Sequence, residues 1–374
     1  MSSLSPVDRR NRRRLLMASG AVAATGLPAF VFAQERRFDP QPGAWRTFDV
    51  TTQVEIKDPI DATRVWLPIP SVDTPYQKSQ ESTWTGNASS ARIVSDANYG
   101  AKMLYAEFDA ATKSPRLALT SRVQTRNRTT DWEHRVDAAE DPATLRSWTR
   151  PTDLMPTDGI VLDTAREATR GAWSDEAKVR QIYDWVVSHT YREPKVRGCG
   201  VGDIKAMLET GNFGGKCGDI NGLFVGLCRA VGIPARDIYG IRIAPSAFGY
   251  RELGGNPEKL QGAQHCRAEV YLKQRGWIAM DPADVGKVMR QESPEWIKDE
   301  RHPLIAPVKR ALFGGWEGNW MAFNNAHDVA LPGARGAKLG FLMYPQAENA
   351  NGRYDPLDPD NFKYTISARE ISAG

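Results

Sequence analysis

The stretch GNFGGKCGDINGLFVGLCRAVGIPAR, residues 211–236, carries one cysteine from a glycine-rich turn into an apolar helix. Gly211, Gly214 and Gly215 permit a tight turn and close backbone approach. Beyond Cys217, the residues Ile220, Leu223, Phe224, Leu227 and Val231 recur at helical spacing, which predicts a buried helix from Lys216 to the Gly232-Ile233-Pro234 stop. Cys217 then lies in the first turn, where unpaired N–H groups and the positive end of the helix dipole favour a thiolate. That is the placement of a nucleophile. Cys228, well inside the same helix, has no such feature and reads as a small buried apolar residue.

A thiolate needs a proton-exchanging base, and the base needs an orienting group. AQHCRAEVYLKQRGWIAMDPAD, residues 263–284, offers both. His265 opens an alternating strand, QRG forms a turn, and WIAM forms a second strand with Asp281 at its end. If the strands pair as a hairpin, His265 and Asp281 become neighbours. Asp284 competes for the orienting role, and Asp219 in the first turn of the cysteine helix reads as a partner of the helix dipole.

Working outward, residues 1–33 hold five arginines and one aspartate, then a weakly apolar run ending Val31-Phe32-Ala33. This pattern predicts a secretory signal cut after Ala33, and Arg12-Arg13 followed by Arg14 and two leucines resembles a twin-arginine leader. The run from Leu15 to Ala33 is only marginally long enough to span a bilayer and is diluted by Gly20, Thr25, Gly26 and Pro28, so a membrane anchor is the weaker reading. This segment's net charge of +4 equals that of the whole 374-residue chain, so the remainder is neutral and the charge argument for nucleic acid or an anionic membrane disappears. No stable membrane insertion and a periplasmic location are expected after cleavage, with the twin-arginine export machinery as a partner.

Residues 34–140 read as strands in WRTFDVTTQVEI, ATRVWLPIP, KMLYAEFD and RLALTSRVQTR, which predicts a β-sandwich. His134 there is a solvated loop residue. From 141 the chain turns helical, with Ser174 as N-cap of SDEAKVRQIYDWVVSHTYR. Trp185 and His189 read as packing residues. Residues 301–374 are expected to complete or flank the core sheet, with FKYTISARE as a strand. His327 and Asp328 read as packing or substrate contacts, and DPLDPDN as a turn in preference to a calcium loop.

Taken in order, GGKCGD, RAVGIPAR, HCRAEVYL and GWIAMDPAD resemble the transglutaminase-like superfamily, relatives of papain-type cysteine proteases, over roughly residues 170–290. The resemblance implies an α+β fold with a papain-like core over 141–300, its helix-borne cysteine packed on an antiparallel sheet. It further implies that Cys217 is the nucleophile, His265 the base and acid, and Asp281 the orienting residue. The oxyanion would be held by the Cys217 N–H and a second donor, for which Asn212 is a candidate.

Cys199 and Cys266 are a candidate disulfide in an oxidising compartment, although spacing does not fix pairing. A zinc site built from Cys199, Cys217, His265 and Cys266 lacks a C-x-x-C pair, so neither metal nor cofactor is expected. The expected activity is acyl transfer or hydrolysis through a thioester at Cys217, on peptide or protein amides of the cell envelope. Two alternatives stay open: an envelope interaction protein on an inherited scaffold with Cys217 idle, and an acyl-carrier partner or amide ligase.

Overall fold

The computed structural model describes residues 36–57, 59–136 and 139–371. The expected leader, its Arg12-Arg13 pair and the cut after Ala33 lie outside the described residues.

Alternation in Arg46–Glu55 turns Phe48, Val50 and Val54 to one face, and in Arg116–Thr125 it does the same for Leu117, Leu119 and Val123. The two strands pair antiparallel with Val54 opposite Leu117. They are central in a sheet ordered Lys363–Ile371, Arg46–Glu55, Arg116–Thr125, Gln77–Gly86. A second antiparallel sheet runs Gly352–Arg353, Gln346–Asn349, Thr63–Pro68, Lys102–Phe108, Ser90–Ser95. Val54, Leu117 and Leu119 of the first share one apolar layer with Val65, Leu67 and Leu104 of the second, which makes a β-sandwich. Gln77–Gly86 and Ser90–Ser95 were not read as strands from the sequence. Each is an edge strand with many exposed polar side chains, and edges need no apolar alternation.

The tail does not behave as one extension. Trp320–Asn324 joins the core sheet beside Ala235–Arg242. Gln346–Asn349 and Lys363–Ile371 instead pair with Thr63–Pro68 and Arg46–Glu55 in the sandwich. Phe48, Val123 and Ile366 belong to the same apolar cluster as Ile238 and Trp316, so the two halves share a continuous core.

The core sheet is antiparallel, ordered Gly276–Met280, Gln264–Leu272, Ala235–Arg242, Trp320–Asn324. The helix Cys217–Ala230 lies against it, with Ile220, Leu223, Phe224 and Leu227 fully buried. Helix Gly159–Ala168, unread from the sequence, and helix Asp175–His189 cover it from the other side. Ser174 caps the latter by accepting from Ala177 N at 3.1 Å. Among the described residues no helix is long and apolar enough to cross a membrane.

Candidate active site

The turn before Cys217 is held by Asp219. Its carboxylate accepts from the backbone N–H groups of Lys216, Val201 and Gly202, each at 2.9 Å. One carboxylate thus fixes both the start of the helix and the loop that carries Cys199, a larger role than the dipole partnership read from the sequence. Cys199 O in turn accepts from Gly218 N at 2.7 Å. Gly200 has φ +87°, and a Cβ there would lie 1.8 Å from Asp219 Oδ2, so only glycine fits the clamp.

The hairpin forms as expected, with Ala268 opposite Met280 as the last pair of its register. Asp281 follows directly and N-caps the helix Pro282–Gln291, its Oδ1 accepting from Asp284 N at 3.1 Å. Its Oδ2 lies 2.7 Å from His265 Nε2. Asp284, one helical turn on, is also near, with Oδ2 3.3 Å from the same nitrogen and Oδ1 accepting from Arg242 Nη2 at 2.6 Å. The two aspartates therefore share the imidazole. With Nε2 committed to carboxylates, Nδ1 is the nitrogen left for proton exchange.

Asn221, one turn into the cysteine helix, fastens these parts together. Its Nδ2 donates to Cys266 O at 2.8 Å and to Asp281 Oδ1 at 3.1 Å, and its Oδ1 accepts from Ala283 N at 3.1 Å. Trp320 Nε1 donates to His265 O at 3.0 Å. The sequence reading missed both residues. Asn221 is a fully buried polar residue inside the apolar run 220–227, and that is the signal that marks it.

The charges form a balanced set. Burial works against a charged imidazole at His265, and Arg242 adds to this. Asp284 and Asp281 outweigh both and raise its pKa to about 9. Burial also opposes ionisation of Cys217, but the Cys199 and Cys266 thiols and the His265 imidazole favour the thiolate and hold it well below the usual thiol range. Burial lowers Arg267 to about 10, which leaves it charged at neutral pH. Its Nε sits 3.5 Å from Asp281. His265, Arg242 and Arg267 thus face Cys217, Asp281 and Asp284, three charges of each sign, which is the condition for keeping so many charges buried.

The sulfurs of Cys199, Cys217 and Cys266 lie within 4.8 Å of one another. All four cysteines are free thiols. The expected Cys199–Cys266 pair is therefore adjacent but unbonded, and Cys217 is part of the same cluster. Cys228 stands apart, its thiol pushed up by burial alone.

A cleft of about 540 Å³ opens onto Cys199, Cys217, Gln264 and His265. Cys217 is only 2% exposed, so its sulfur is met from this side. Asn212 is not part of the cleft. The glycine turn leaves it exposed, and its Oδ1 accepts from Gly214 N at 3.2 Å, so the oxyanion assignment for Asn212 is corrected. Gln264, on the cleft wall, instead presents a buried side-chain nitrogen that has no hydrogen-bond partner among the described residues.

The other histidines lie outside the cleft. His134 is exposed and pairs with Asp131 at 2.8 Å, His189 stacks on Trp185 at 4.3 Å, and His327 is buried against the Tyr239 hydroxyl at 3.1 Å. Asp328 accepts from Asp153 N at 3.0 Å. In DPLDPDN, Asp355 and Asp358 accept from the backbone two residues on, as turn residues do.

Residues 162–282 match the sequence profile of the transglutaminase-like superfamily. An uncharacterised protein of Haemophilus influenzae is 33% identical over 325 residues, spanning 83% of this chain and 86% of its own. The chain belongs to the transglutaminase-like superfamily. Solved structures similar to it include one described as a cysteine protease candidate from Cytophaga hutchinsonii, 15% identical, with a TM-score of 0.49 over 88% of this chain and 99% of that one. The periplasmic domain of TgpA from Pseudomonas aeruginosa is 18% identical, with a TM-score of 0.32 over 68% and 91%.

Proposed function

We propose that the protein is an exported, cysteine-dependent amide hydrolase or acyltransferase acting on peptides or proteins of the cell envelope. The observation that carries this reading is a cysteine at a helix start, sharing a cleft with an imidazole whose far nitrogen is held 2.7 Å from Asp281. Cys217 Sγ attacks the amide carbonyl, and the C–N bond breaks as the amine leaves with the proton of His265. The resulting thioester is resolved by water or by a second amine. That nucleophile gives its proton to His265, the acyl group departs, and the sulfur returns as thiolate. Gln264 is the side-chain donor we assign to the oxyanion, with the Cys217 N–H as its companion.

The expected leader at residues 1–33 supports an envelope substrate and a periplasmic location reached through the twin-arginine machinery. The test is to incubate the mature chain with envelope extract and an iodoacetamide probe, in parallel with Cys217→Ala. The proposal expects labelling at pH 6 that substrate suppresses and the substitution abolishes. Labelling that survives Cys217→Ala places the reactive thiol elsewhere, and a Cys217 no faster than an ordinary thiol leaves an interaction protein on an inherited scaffold.

A further inference from the structure

The cleft over Cys217 is lined by five cations, Arg192, Lys216, Arg242, Lys259 and Lys287, and no aspartate or glutamate is among its lining residues. Two of these charges are answered from behind the wall. Arg242 pairs with Asp284 at 2.6 Å, and Lys287 lies 3.4 Å from Glu252. The other three have no carboxylate partner in the described residues, and Arg192 donates only to the neutral Gln291 amide, at 3.0 Å. By contrast, the half-buried Arg128 and Arg236 are both paired with the Glu269 carboxylate.

This concentration is not a reflection of the whole chain. Five of its 49 basic and one of its 45 acidic residues fall in the expected leader, leaving 44 of each. Unanswered cations gathered in a concave site on a neutral protein raise the local concentration of anionic ligands.

We infer that the acyl donor brought to Cys217 is anionic: a peptide bearing carboxylates beside the scissile amide, held by Arg192, Lys216 and Lys259. This rests on the acyl-transfer reading of the same site and names its substrate class. Lys216 immediately precedes the nucleophile, so it is placed to meet a carboxylate on the residue that becomes the thioester. Exposed Lys259 lines the same cleft and would meet a carboxylate elsewhere on the peptide.

The test compares two alkylating probes of similar size on the same thiol, anionic iodoacetate and neutral iodoacetamide. Their rate ratio cancels the nucleophilicity of Cys217 and reports the local potential. Relative to uncharged 2-mercaptoethanol, Cys217 is expected to favour iodoacetate on the order of fivefold at low ionic strength, as three nearby cations in a solvated cleft require. The preference should fall toward unity in 0.5 M sodium chloride, a test on the unaltered protein that needs no substitution to fold. It should also fall in Lys259→Gln and further in Arg192→Gln/Lys216→Gln/Lys259→Gln. A glutamate-rich peptide should slow labelling by iodoacetamide while a lysine-rich peptide does not. A ratio equal to that of 2-mercaptoethanol, or equal protection by both peptides, overturns the anionic substrate and leaves acyl transfer standing. A Cys217 inert to both probes overturns both readings.

Discussion

His265 Nε2 sits 2.7 Å from Asp281 and 3.3 Å from Asp284, so one imidazole is shared by two carboxylates, the N-cap of a helix and a residue of its first turn. The two acids are not equivalent. Asp281 accepts from Asn221 and the helix backbone, and Asp284 from Arg242. Asp281 holds the ring, and Asp284 balances a buried guanidinium.

Substitutions should separate these duties. Asp281→Asn keeps the shape but offers His265 a mixed donor and acceptor, so turnover should fall by roughly 10²- to 10⁴-fold, and stability should fall through the looser 3.5 Å contact with Arg267. Asp284→Asn leaves Arg242 buried without its charge partner. Breaking such a pair costs about 3–5 kcal/mol, so urea unfolding should shift more for Asp284→Asn than for Asp281→Asn. The opposite ranking in both assays would assign the orienting role to Asp284.

The thiolate–imidazolium pair makes a further prediction through its proton count. The folded pKa of His265, raised to about 9, contributes stability fully present below about 6.5 and lost as pH rises through 9. The lowered Cys217 thiol contributes stability present above its unfolded value near 8.5 and lost as pH falls toward its folded value. Between pH 6.5 and 8.5 the folded pair holds one proton, on the imidazole, and the unfolded pair also holds one, on the thiol. The two slopes cancel. Cys217→Ala removes only the thiol, so its unfolding free energy should decline across this window by up to about 1.4 kcal/mol per pH unit relative to the parent. Equal pH dependence of the two chemical-denaturation series would mean that the pair is not ionised.

The parts of the site legible in the sequence are those set by local pattern. The helix of Cys217, the strand of His265 and the hairpin that returns Asp281 each follow from apolar period and turn residues within about twenty positions. What escaped depends on distant segments meeting. Cys199 and Cys266 converge on Cys217 because Asp219 draws in the 199–202 loop, and Lys363–Ile371 pairs with Arg46–Glu55 across almost the whole chain. Asn212 was misplaced by the opposite error, nearness in sequence, since the glycines beside it turn its amide away from the cleft.

Gln264 offers a test of the oxyanion assignment. Its unpartnered amide nitrogen should gain a bond only when the carbonyl oxygen becomes an anion, so Gln264→Ala should lower kcat by about 10²- to 10³-fold with little change in KM. Iodoacetamide labelling of Cys217 forms no oxyanion and should be unchanged. Slower labelling in the same variant would mean that Gln264 supports the thiolate instead.

The loop clamp can be probed at Gly200. A methyl group there meets the Asp219 carboxylate and forces a non-glycine residue to hold φ +87°, a conformation costing about 1–3 kcal/mol. The clamp relaxes if the 199–202 loop moves away from Asp219, and the loop carries Cys199 with it. Cys199 is one of the groups that stabilise the Cys217 thiolate, so Gly200→Ala should raise the thiol pKa read from the pH dependence of iodoacetamide labelling. Cys199→Ser tests the same link without backbone strain, because a hydroxyl replaces the thiol beside an unmoved loop. Its labelling profile should shift less than that of Gly200→Ala. If Gly200→Ala lowers the denaturation midpoint but leaves the profile of Cys217 in place, the loop serves stability alone and the sulfur cluster does not tune the nucleophile.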